Sequence, residues 1–330
     1  MSWNLIVPAA RRAITGGALF VGVAVGACDQ YAQRRQRAQS AGYTDTDSMG
    51  ATPRDIVTIR LHVPPELVEN SAAAMSRKQP GVLFTLNDSG NDPLLFALDT
   101  TGADRGVWRV LGAKNVDWES ISVAPCNPGA QPSCVYIGDT GDNNGHHSFR
   151  VIYKVPEPNA VAGRDTISAE QLRYTYPDQP HDVEAMYVAP TGDIILITKR
   201  PLAGGEGRLR PALVFSIPAG AWRERRKAQA RLVDSLPIVP GSAPLRLITD
   251  AALSPDTTHL AVRTYAQLYI FATDRTTGLV DHAIAPRVCN IVPLGEQQGE
   301  GVTWMDNRGR FAFTSEGANA PLNLATCPLP

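Results

Sequence analysis

Short apolar runs separated by turn residues recur along the chain from residue 71 onward. Five stretches align, and each holds a strand of small apolar residues, a turn, and a second apolar strand that ends in polar residues. The stretches begin, in chain order, at Ser71, Glu119, Glu184, Thr249 and Glu300. These starts are 48, 65, 65 and 51 residues apart. Repeats of this size built from short strands are typical of a β-propeller, in which every repeat forms one blade.

The number of strands in each repeat predicts how the propeller closes. A third apolar strand follows in every repeat, and a fourth follows in all but the last. The run DIVTIRLHV, residues 55–63, belongs to no repeat, so we expect it to supply the missing strand and remove an exposed sheet edge. The pattern predicts an all-β domain over 54–330, a single β-propeller of four-stranded blades. Five blades are counted, and six stay open because the longer repeats have room for further strands.

The N-terminal segment has the pattern of an export signal. Residues 13–27, AITGGALFVGVAVGA, are too few for a spanning helix of about 20 residues. They end in Val-Gly-Ala before Cys28, which resembles a bacterial lipobox and predicts lipidation of Cys28. An uncleaved anchor and an ordinary signal peptide are the alternatives, and export through the general or the twin-arginine route stays open.

Domain boundaries follow from this segment. Residues 1–28 are predicted to be a lipoprotein-type signal peptide, and the polar residues 29–53 a flexible tether. Residues 54–330 then form the propeller. The sequence therefore predicts an exported protein that is held in the cell envelope by its lipid.

Composition and cysteine positions narrow the class of protein. The formal net charge of −1 argues against nucleic-acid binding, and we expect a monomer that contacts the membrane only through its lipid. Cys126 and Cys134 flank a turn-rich loop and are predicted to form a disulfide, which leaves Cys289 and Cys327 to each other. The sequence contains no Cys-x-x-Cys, so no zinc site is predicted.

Polar residues recur at two positions of the repeat. One set is formed by the residues that begin the five stretches, three of which are glutamates. The other set ends the second strands and comprises Asn87, Asp88, Asp139, Lys199, Arg200, Arg263, Ser315 and Glu316. A strand, a turn and a returning strand separate the two sets. Both are therefore expected at one mouth of the central channel, where propellers usually bind ligands.

The crowding of glutamates at this mouth needs a compensating positive charge. Lys199 and Arg263 are one source, giving an internally neutralised ring. A divalent cation such as Ca²⁺ is another, with the oxygen ligands Glu119, Asp139, Asp142 and Asn143. A third interpretation is a site for a small polar molecule, bound by Asn87, Asp88, Lys199, Arg263 and Glu316.

Catalytic candidates lie on the same repeat positions. Glu184 and Glu300 face the predicted channel, and His181 precedes Glu184 by three residues. His146 and His147, beside the acidic loop, are more typical of solvated residues. The sequence lacks Gly-x-Ser-x-Gly and a phosphate-binding Gly-x-x-x-x-Gly-Lys loop, which argues against those two chemistries.

Several stretches also resemble known propellers over about residues 55–327, namely TLNDSGNDPLLFALDTTG, YIGDTGDNNGHHSFRVIYKVPEP, HDVEAMYVAPTGDIILITKR and GEGVTW…FTSEG. They are similar to a family of exported bacterial β-propeller lipoproteins, and more distantly to phytase-like, esterase-like and lactonase-like propellers. The distant relatives hold calcium at the channel mouth through Glu, Asp and Asn, so the resemblance implies a calcium site here. Ser71 and Thr249 interrupt the glutamate series, which argues against phytase activity.

Two functions follow as hypotheses. The first is a lipid-anchored propeller that binds a small polar molecule or a loop of a partner protein at its channel mouth. The second is a calcium-dependent hydrolase of phosphate esters, carboxylic esters or lactones. Such an enzyme would use a glutamate or aspartate as general base, with Lys199 and Arg263 holding an anion.

Overall fold

Apolar residues that alternate with turns form antiparallel sheets, as their pattern predicts. The computed structural model describes residues 50–129, 132–199, 211–224, 227–238, 246–318 and 320–330. The described strands form five sheets, and each contains the four antiparallel strands of one blade. The structure thus confirms a five-bladed β-propeller. Within the described ranges, no helix has the length and apolar character needed to span a bilayer.

The first three blades follow one another along the chain. Blade 1 consists of β2 (Asn70–Met75), β3 (Val82–Asn87), β4 (Leu94–Asp99) and β5 (Asp104–Leu111). Blade 2 consists of β6 (Trp118–Pro125), β7 (Ser133–Asp139), β8 (Arg150–Pro156) and β10 (Glu170–Thr175). Blade 3 consists of β11 (Val183–Val188), β12 (Ile194–Thr198), β13 (Ala212–Ile217) and β15 (Arg231–Leu236). A short 3₁₀ helix, Ala219–Trp222, follows β13.

The last two blades complete the ring. Blade 4 consists of β16 (Ile248–Leu253), β17 (His259–Thr264), β18 (Gln267–Ala272) and β19 (Arg287–Asn290). A 3₁₀ helix, Val292–Leu294, leads from it to the next blade. Blade 5 consists of β20 (Gly299–Trp304), β21 (Arg310–Ser315), β22 (Leu322–Thr326) and the N-terminal β1 (Arg54–Ile59).

The N-terminal strand closes the ring as predicted. β1 pairs antiparallel with β22, with Ile59 opposite Leu322 and Arg54 opposite Thr326. The hydroxyl of Thr58 also donates a hydrogen bond of 2.8 Å to the side chain of Asn323. The last blade therefore contains one strand from the beginning of the domain and three from its end.

The hydrophobic core is divided among the five interfaces between blades. Each buried apolar cluster draws its members from two neighbouring blades. For example, Phe84 of blade 1 and Trp118 of blade 2 belong to one cluster, and Trp304 and Phe311 of blade 5 pack with Leu268 of blade 4 in another. Packing between blades therefore holds the inner strands around the channel.

Two strands outside the blade pattern account for the longer repeats. β9 (Arg164–Ser168) belongs to the blade 2 repeat but pairs parallel with β5, the outer strand of blade 1. β14 (Ala228–Gln229) belongs to the blade 3 repeat and pairs parallel with β10 of blade 2. These two strands thus cover the outer edge of the preceding blade, and the described strands form five blades.

Two disulfides and a backbone hydrogen bond from Ala51 add to the contacts between strands. Cys289 forms a disulfide with Cys327 and thereby connects blade 4 to blade 5, while Cys126 and Cys134 close the β6–β7 turn. Both disulfides agree with the sequence prediction. Ala51, which the sequence assigned to the tether, donates a hydrogen bond of 2.9 Å to the carbonyl of Val288 on β19. Cys28 and residues 29–49 of the predicted tether lie outside the described residues.

Candidate functional site

A register shift occurs near the start of all five inner strands, between the first and third residues in four blades and between the first and fourth in blade 5. β-Bulges of this kind re-aim side chains next to functional sites. The second residues of these strands are Ser71, Glu119, Glu184, Thr249 and Glu300, the residues that begin the sequence repeats. The structure therefore places this polar set at equivalent positions around one end of the channel.

A polar cavity of about 210 Å³ occupies this mouth. Its walls come from all five blades or the loops that join them, and they comprise Glu69, Asn70, Ser71, Asp88, Glu119, Asn143, Glu184, Lys199, Tyr265, Gln298, Glu300 and Glu316. Six of these residues are acidic and one, Lys199, is basic. The wall of the cavity therefore has an excess of carboxylates over basic groups.

Three carboxylates converge on the side of blades 1 and 2. Oxygen atoms of Asp88, Asp117 and Glu119 lie within 4.8 Å of one another. Glu119 is 5% exposed, and its Oε2 accepts a hydrogen bond of 2.6 Å from the hydroxyl of Ser71. Carboxylate oxygens at this separation are suited to a shared hard cation such as Ca²⁺. We call Asp88, Asp117 and Glu119 the carboxylate cluster.

The stretch GDTGDNN, residues 138–144, forms the end of β7 and the loop after it, and it holds the backbone of Asp117 in the carboxylate cluster. Asp139 forms a buried ion pair of 2.8 Å with Arg150, and its Oδ1 also accepts a hydrogen bond from the backbone N–H of Asp117. The N–H groups of Thr140 and Gly141 donate to the carbonyl of Asp117, at 3.1 and 3.2 Å. The loop therefore fixes the backbone from which Asp117 extends.

Gly141 is the point of closest approach between this loop and the cluster. A Cβ atom at Gly141 would lie 2.6 Å from Oδ2 of Asp117 and 2.8 Å from Cγ of Glu119. These distances are shorter than real Cβ contacts, so any side chain here would displace at least one carboxylate. Only glycine leaves Asp117 and Glu119 in their observed places.

The other predicted residues of the loop have different surroundings. Asp142 is 4% exposed, and its two oxygens accept hydrogen bonds from the backbone N–H groups of His146 and His147. Its own N–H donates to Asp182. Asn143 lines the cavity, while His146 and His147 are exposed. Of the four metal ligands expected from sequence, Glu119 and Asn143 thus border the cavity, while Asp139 and Asp142 hold the loop that backs it.

Glu184 and Lys199 form a buried ion pair across blade 3. Burial raises the pKa of Glu184 well above its ordinary value, although the charge of Lys199 opposes this shift. Burial by itself lowers the pKa of Lys199, but Glu184 outweighs it and holds the lysine charged. Lys199, the one basic side chain among the described residues of the wall, is therefore already partnered with one of its carboxylates.

Glu300 occupies the opposite wall, in blade 5. Its Oε1 accepts hydrogen bonds from the hydroxyl of Tyr265 and from Nε2 of Gln298, both at 3.1 Å. Its Oε2 is buried and has no hydrogen-bond partner. Burial raises the pKa of Glu300 to about 7, against the charges of Lys199 and Arg263. Tyr265, at the rim of the same wall, thus contributes its hydroxyl to the site.

Burial and nearby negative charges also disfavour the charged forms of Asp117 and Glu119 and raise their pKa values. Burial, followed by the charge of Asp88, raises the pKa of Asp117 to about 6. Burial raises the pKa of Glu119 well above its ordinary value, and Glu184 and Asp88 raise it further. A cation in the cavity would stabilise the ionised carboxylates and displace their protons.

Several residues predicted to bind ligand have structural partners. Arg263 is fully buried, pairs with Glu296, and donates to the carbonyls of Gly301 and Thr314. The side chain of Asn87 accepts from the N–H groups of Val68 and Glu69. Arg263 and Asn87 are absent from the cavity wall, whereas Asp88, Lys199 and Glu316 are part of it. Arg200 lies outside the described residues.

His181, a predicted catalytic candidate, is not among the residues that line the cavity. It is 2% exposed, bonds Asp178 at 3.0 Å, and packs against the rings of Tyr176 and Phe215. This aromatic surrounding indicates a role in packing. Glu184 and Glu300, the other two candidates, both line the cavity.

Sequence reasoning missed a second recurring set, the residues that lie two positions before Ser71, Glu119, Glu184, Thr249 and Glu300. These are Glu69, Asp117, Asp182, Leu247 and Gln298, all polar except one. Glu69 and Gln298 line the cavity and Asp117 joins the carboxylate cluster. The recurring spacing in Asp117-Trp-Glu119, Asp182-Val-Glu184 and Gln298-Gly-Glu300 was the signal that could have found them. Asn70 also lines the cavity, but the equivalent residues of the other blades, Trp118, Val183, Ile248 and Gly299, are not polar, so no repeated pattern pointed to it.

Similarity to known proteins is found among solved structures. No protein-family model and no curated protein sequence matches the chain. Among solved structures, it is similar to the glutaminyl cyclase of Myxococcus xanthus, at 10% identity over 83% of this chain and 97% of the other, with a TM-score of 0.47. The PQQ-bound aldose sugar dehydrogenase of Streptomyces coelicolor gives 10% identity, coverage of 83% and 99%, and a TM-score of 0.45. A gluconolactonase of Xanthomonas campestris is 14% identical over 85% of this chain and 97% of the other, with a TM-score of 0.41. The structural neighbours of this chain include β-propellers that are enzymes.

Proposed function

We propose that this protein is a propeller that binds a divalent cation, with Ca²⁺ as the expected ion, and a small polar ligand at its acidic channel mouth. The observation that carries the proposal is the carboxylate cluster, whose three side chains bring oxygens within 4.8 Å of one another. Ca²⁺ takes six to eight oxygen ligands, so three carboxylates would leave positions for water or for the ligand.

The surroundings of the cluster fit such an ion. The donors are carboxylate oxygens, which hard cations prefer to nitrogen or sulfur. Gly141 leaves room for Asp117 and Glu119 where a Cβ atom would displace them. Asn143 also lines the cavity and offers an amide oxygen. The ligand set proposed here is therefore Asp88, Asp117 and Glu119, with Asn143 within the same wall.

Thermal melts with Ca²⁺ and with a chelator test this proposal. A cation that binds only the folded protein stabilises it by roughly 2.7 kcal/mol at a hundredfold excess over the dissociation constant. Asp117→Asn and Glu119→Gln should each abolish the shift in melting temperature. His146→Ala, which changes an exposed side chain of the adjacent loop, is the matched control and should retain it. Identical wild-type melts with Ca²⁺ and chelator would favour the internally neutralised ring.

The proposal extends to the location of the protein. We infer an exported monomer tethered to a membrane of the cell envelope through a lipid on Cys28, with the acidic mouth available to a small polar molecule or a partner's loop. The sequence pattern before Cys28 supports the anchor. The near-neutral formal charge of −1 supports the expectation that nucleic acid is not a partner.

One observation favours a calcium-dependent hydrolase as a second candidate. Glu300 lines the cavity, and its pKa of about 7 suits a group that accepts and returns a proton near neutral pH. Assays with p-nitrophenyl phosphate, p-nitrophenyl acetate and a simple lactone would test it, each with Ca²⁺ and with chelator. Activity that needs Ca²⁺ and is lost in Glu300→Gln would support the hydrolase. Absence of turnover in all three assays would leave the binding function.

A further inference from the structure

Charge in the cavity is unbalanced even if the carboxylate cluster holds a divalent cation. Among the described residues, six acidic side chains line the wall and one basic side chain, Lys199, is paired with Glu184. A cation at Asp88, Asp117 and Glu119 would compensate the side of blades 1 and 2. Glu69, Glu300 and Glu316 would still face the remaining space.

Two buried side chains in this wall have polar atoms without a hydrogen-bond partner. Asn70 is 5% exposed, and neither its Oδ1 nor its Nδ2 has a partner. Glu300 is 6% exposed, and its Oε2 has none. Buried polar atoms without partners destabilise the folded protein, and a ligand that supplies the missing hydrogen bonds removes this cost. Asn70 is the first residue of β2 and Glu300 the second residue of β20, and these two inner strands contact each other. Both residues therefore belong to the blade 1 and blade 5 side of the mouth.

We propose that Asn70 and Glu300 form a subsite for the primary ammonium group of a small organic amine. An ammonium has three N–H donors, enough to bond Oε2 of Glu300, Oδ1 of Asn70 and one further acceptor of the wall. Its charge would offset the acidic residues that the divalent cation does not reach. A neutral hydroxyl would supply fewer donors and no charge, and an anion would be repelled by the surrounding carboxylates.

This inference deepens the proposed function, because it names the ligand of the same mouth, but it uses a different wall. The two can fail separately. Loss of the Ca²⁺ effect alone would remove the metal and leave the amine subsite. Loss of amine binding alone would remove the subsite and leave the metal.

Calorimetric titration of the full chain with 1,4-diaminobutane tests the subsite, after metal has been removed by chelation and desalting. Butane-1,4-diol, which has the same length and no charge, is the matched ligand. We expect the diamine to bind and the diol not to bind. Hydrogen bonds to charged groups contribute about 1.5–3 kcal/mol, so Glu300→Gln and Asn70→Ala should each weaken diamine binding by about tenfold or more.

Control variants separate a built subsite from general attraction to an acidic protein. Glu224→Gln removes one exposed negative charge outside the cavity and should leave diamine affinity unchanged. Asp117→Asn should abolish the Ca²⁺ shift while diamine binding survives. Equal binding of diamine and diol, no binding of the diamine, or undiminished affinity in both Glu300→Gln and Asn70→Ala would overturn the proposal. Melts without ligand check that each variant is folded.

Discussion

Gly141 shows how one residue without a side chain controls the positions of two others. Its neighbours, Oδ2 of Asp117 and Cγ of Glu119, leave no space for a Cβ atom. Gly141→Ala should therefore move the carboxylates and weaken Ca²⁺ binding by roughly ten- to hundredfold, the usual cost of disturbing groups that orient metal ligands. Affinity measured by calorimetry checks this.

A matched glycine serves as the control for that change. Gly220 has no atom within 4 Å of the position a Cβ would take, and its φ lies outside the left-handed region. Gly220→Ala should leave Ca²⁺ affinity unaltered. If Gly141→Ala bound Ca²⁺ as tightly as Gly220→Ala, the carboxylate cluster would not be the metal site.

Glu300 predicts how stability depends on pH when no cation is present. Burial raises its pKa from 4.5 to about 7, so the folded state holds a proton that the unfolded state has lost between these values. Stability should therefore fall as pH rises from about 4.5 to 7, because the unfolded state binds fewer protons there. Urea melts in chelator across this range should show the slope, and Glu300→Gln should reduce it. A slope unchanged by that substitution would place the protonation elsewhere.

At the level of strands, β1 is predicted to be indispensable. Its removal would leave β22 as an exposed edge and strip one strand from the last blade. Deletion of residues 55–63 should abolish the cooperative thermal transition, whereas deletion of 29–49 should not. Circular dichroism melts of both deletions give the comparison. A cooperative melt at the wild-type temperature without 55–63 would mean that the ring does not depend on this strand.

Most strands could be predicted because their apolar residues are buried between blades. β9 and β14 were missed since their residues are largely exposed and they pair only with a preceding blade. The ring of Ser71, Glu119, Glu184, Thr249 and Glu300 was readable from the repeat. The role of Asp139 could not be read from the sequence. Its partner, Arg150, lies on the next strand, and the sequence does not show whether an acidic side chain binds a cation or pairs with an arginine.

For the whole molecule, the proposed anchor is the feature to test. Lipid on Cys28 would hold the chain in the membrane fraction, since residues 13–27 are too few to span as a helix. Cys28→Ser should release the protein into the soluble fraction, measured by immunoblot after a high-salt wash. Protein that stays in the membrane after this change would point to an uncleaved anchor.

The closure of blade 5 also sets the order in which the fold can be completed. Thr58 and Asn323, which bond each other, are 265 positions apart, so the first described strand of the chain pairs with the last. Chains are made from the N-terminus, and β1 must therefore persist without its partner while four blades are produced. A contact of such long range makes closure slow. Nascent chains paused before residue 322 would carry an open ring, and during that interval the edge of β1 is the part of the molecule that a chaperone would have to shield.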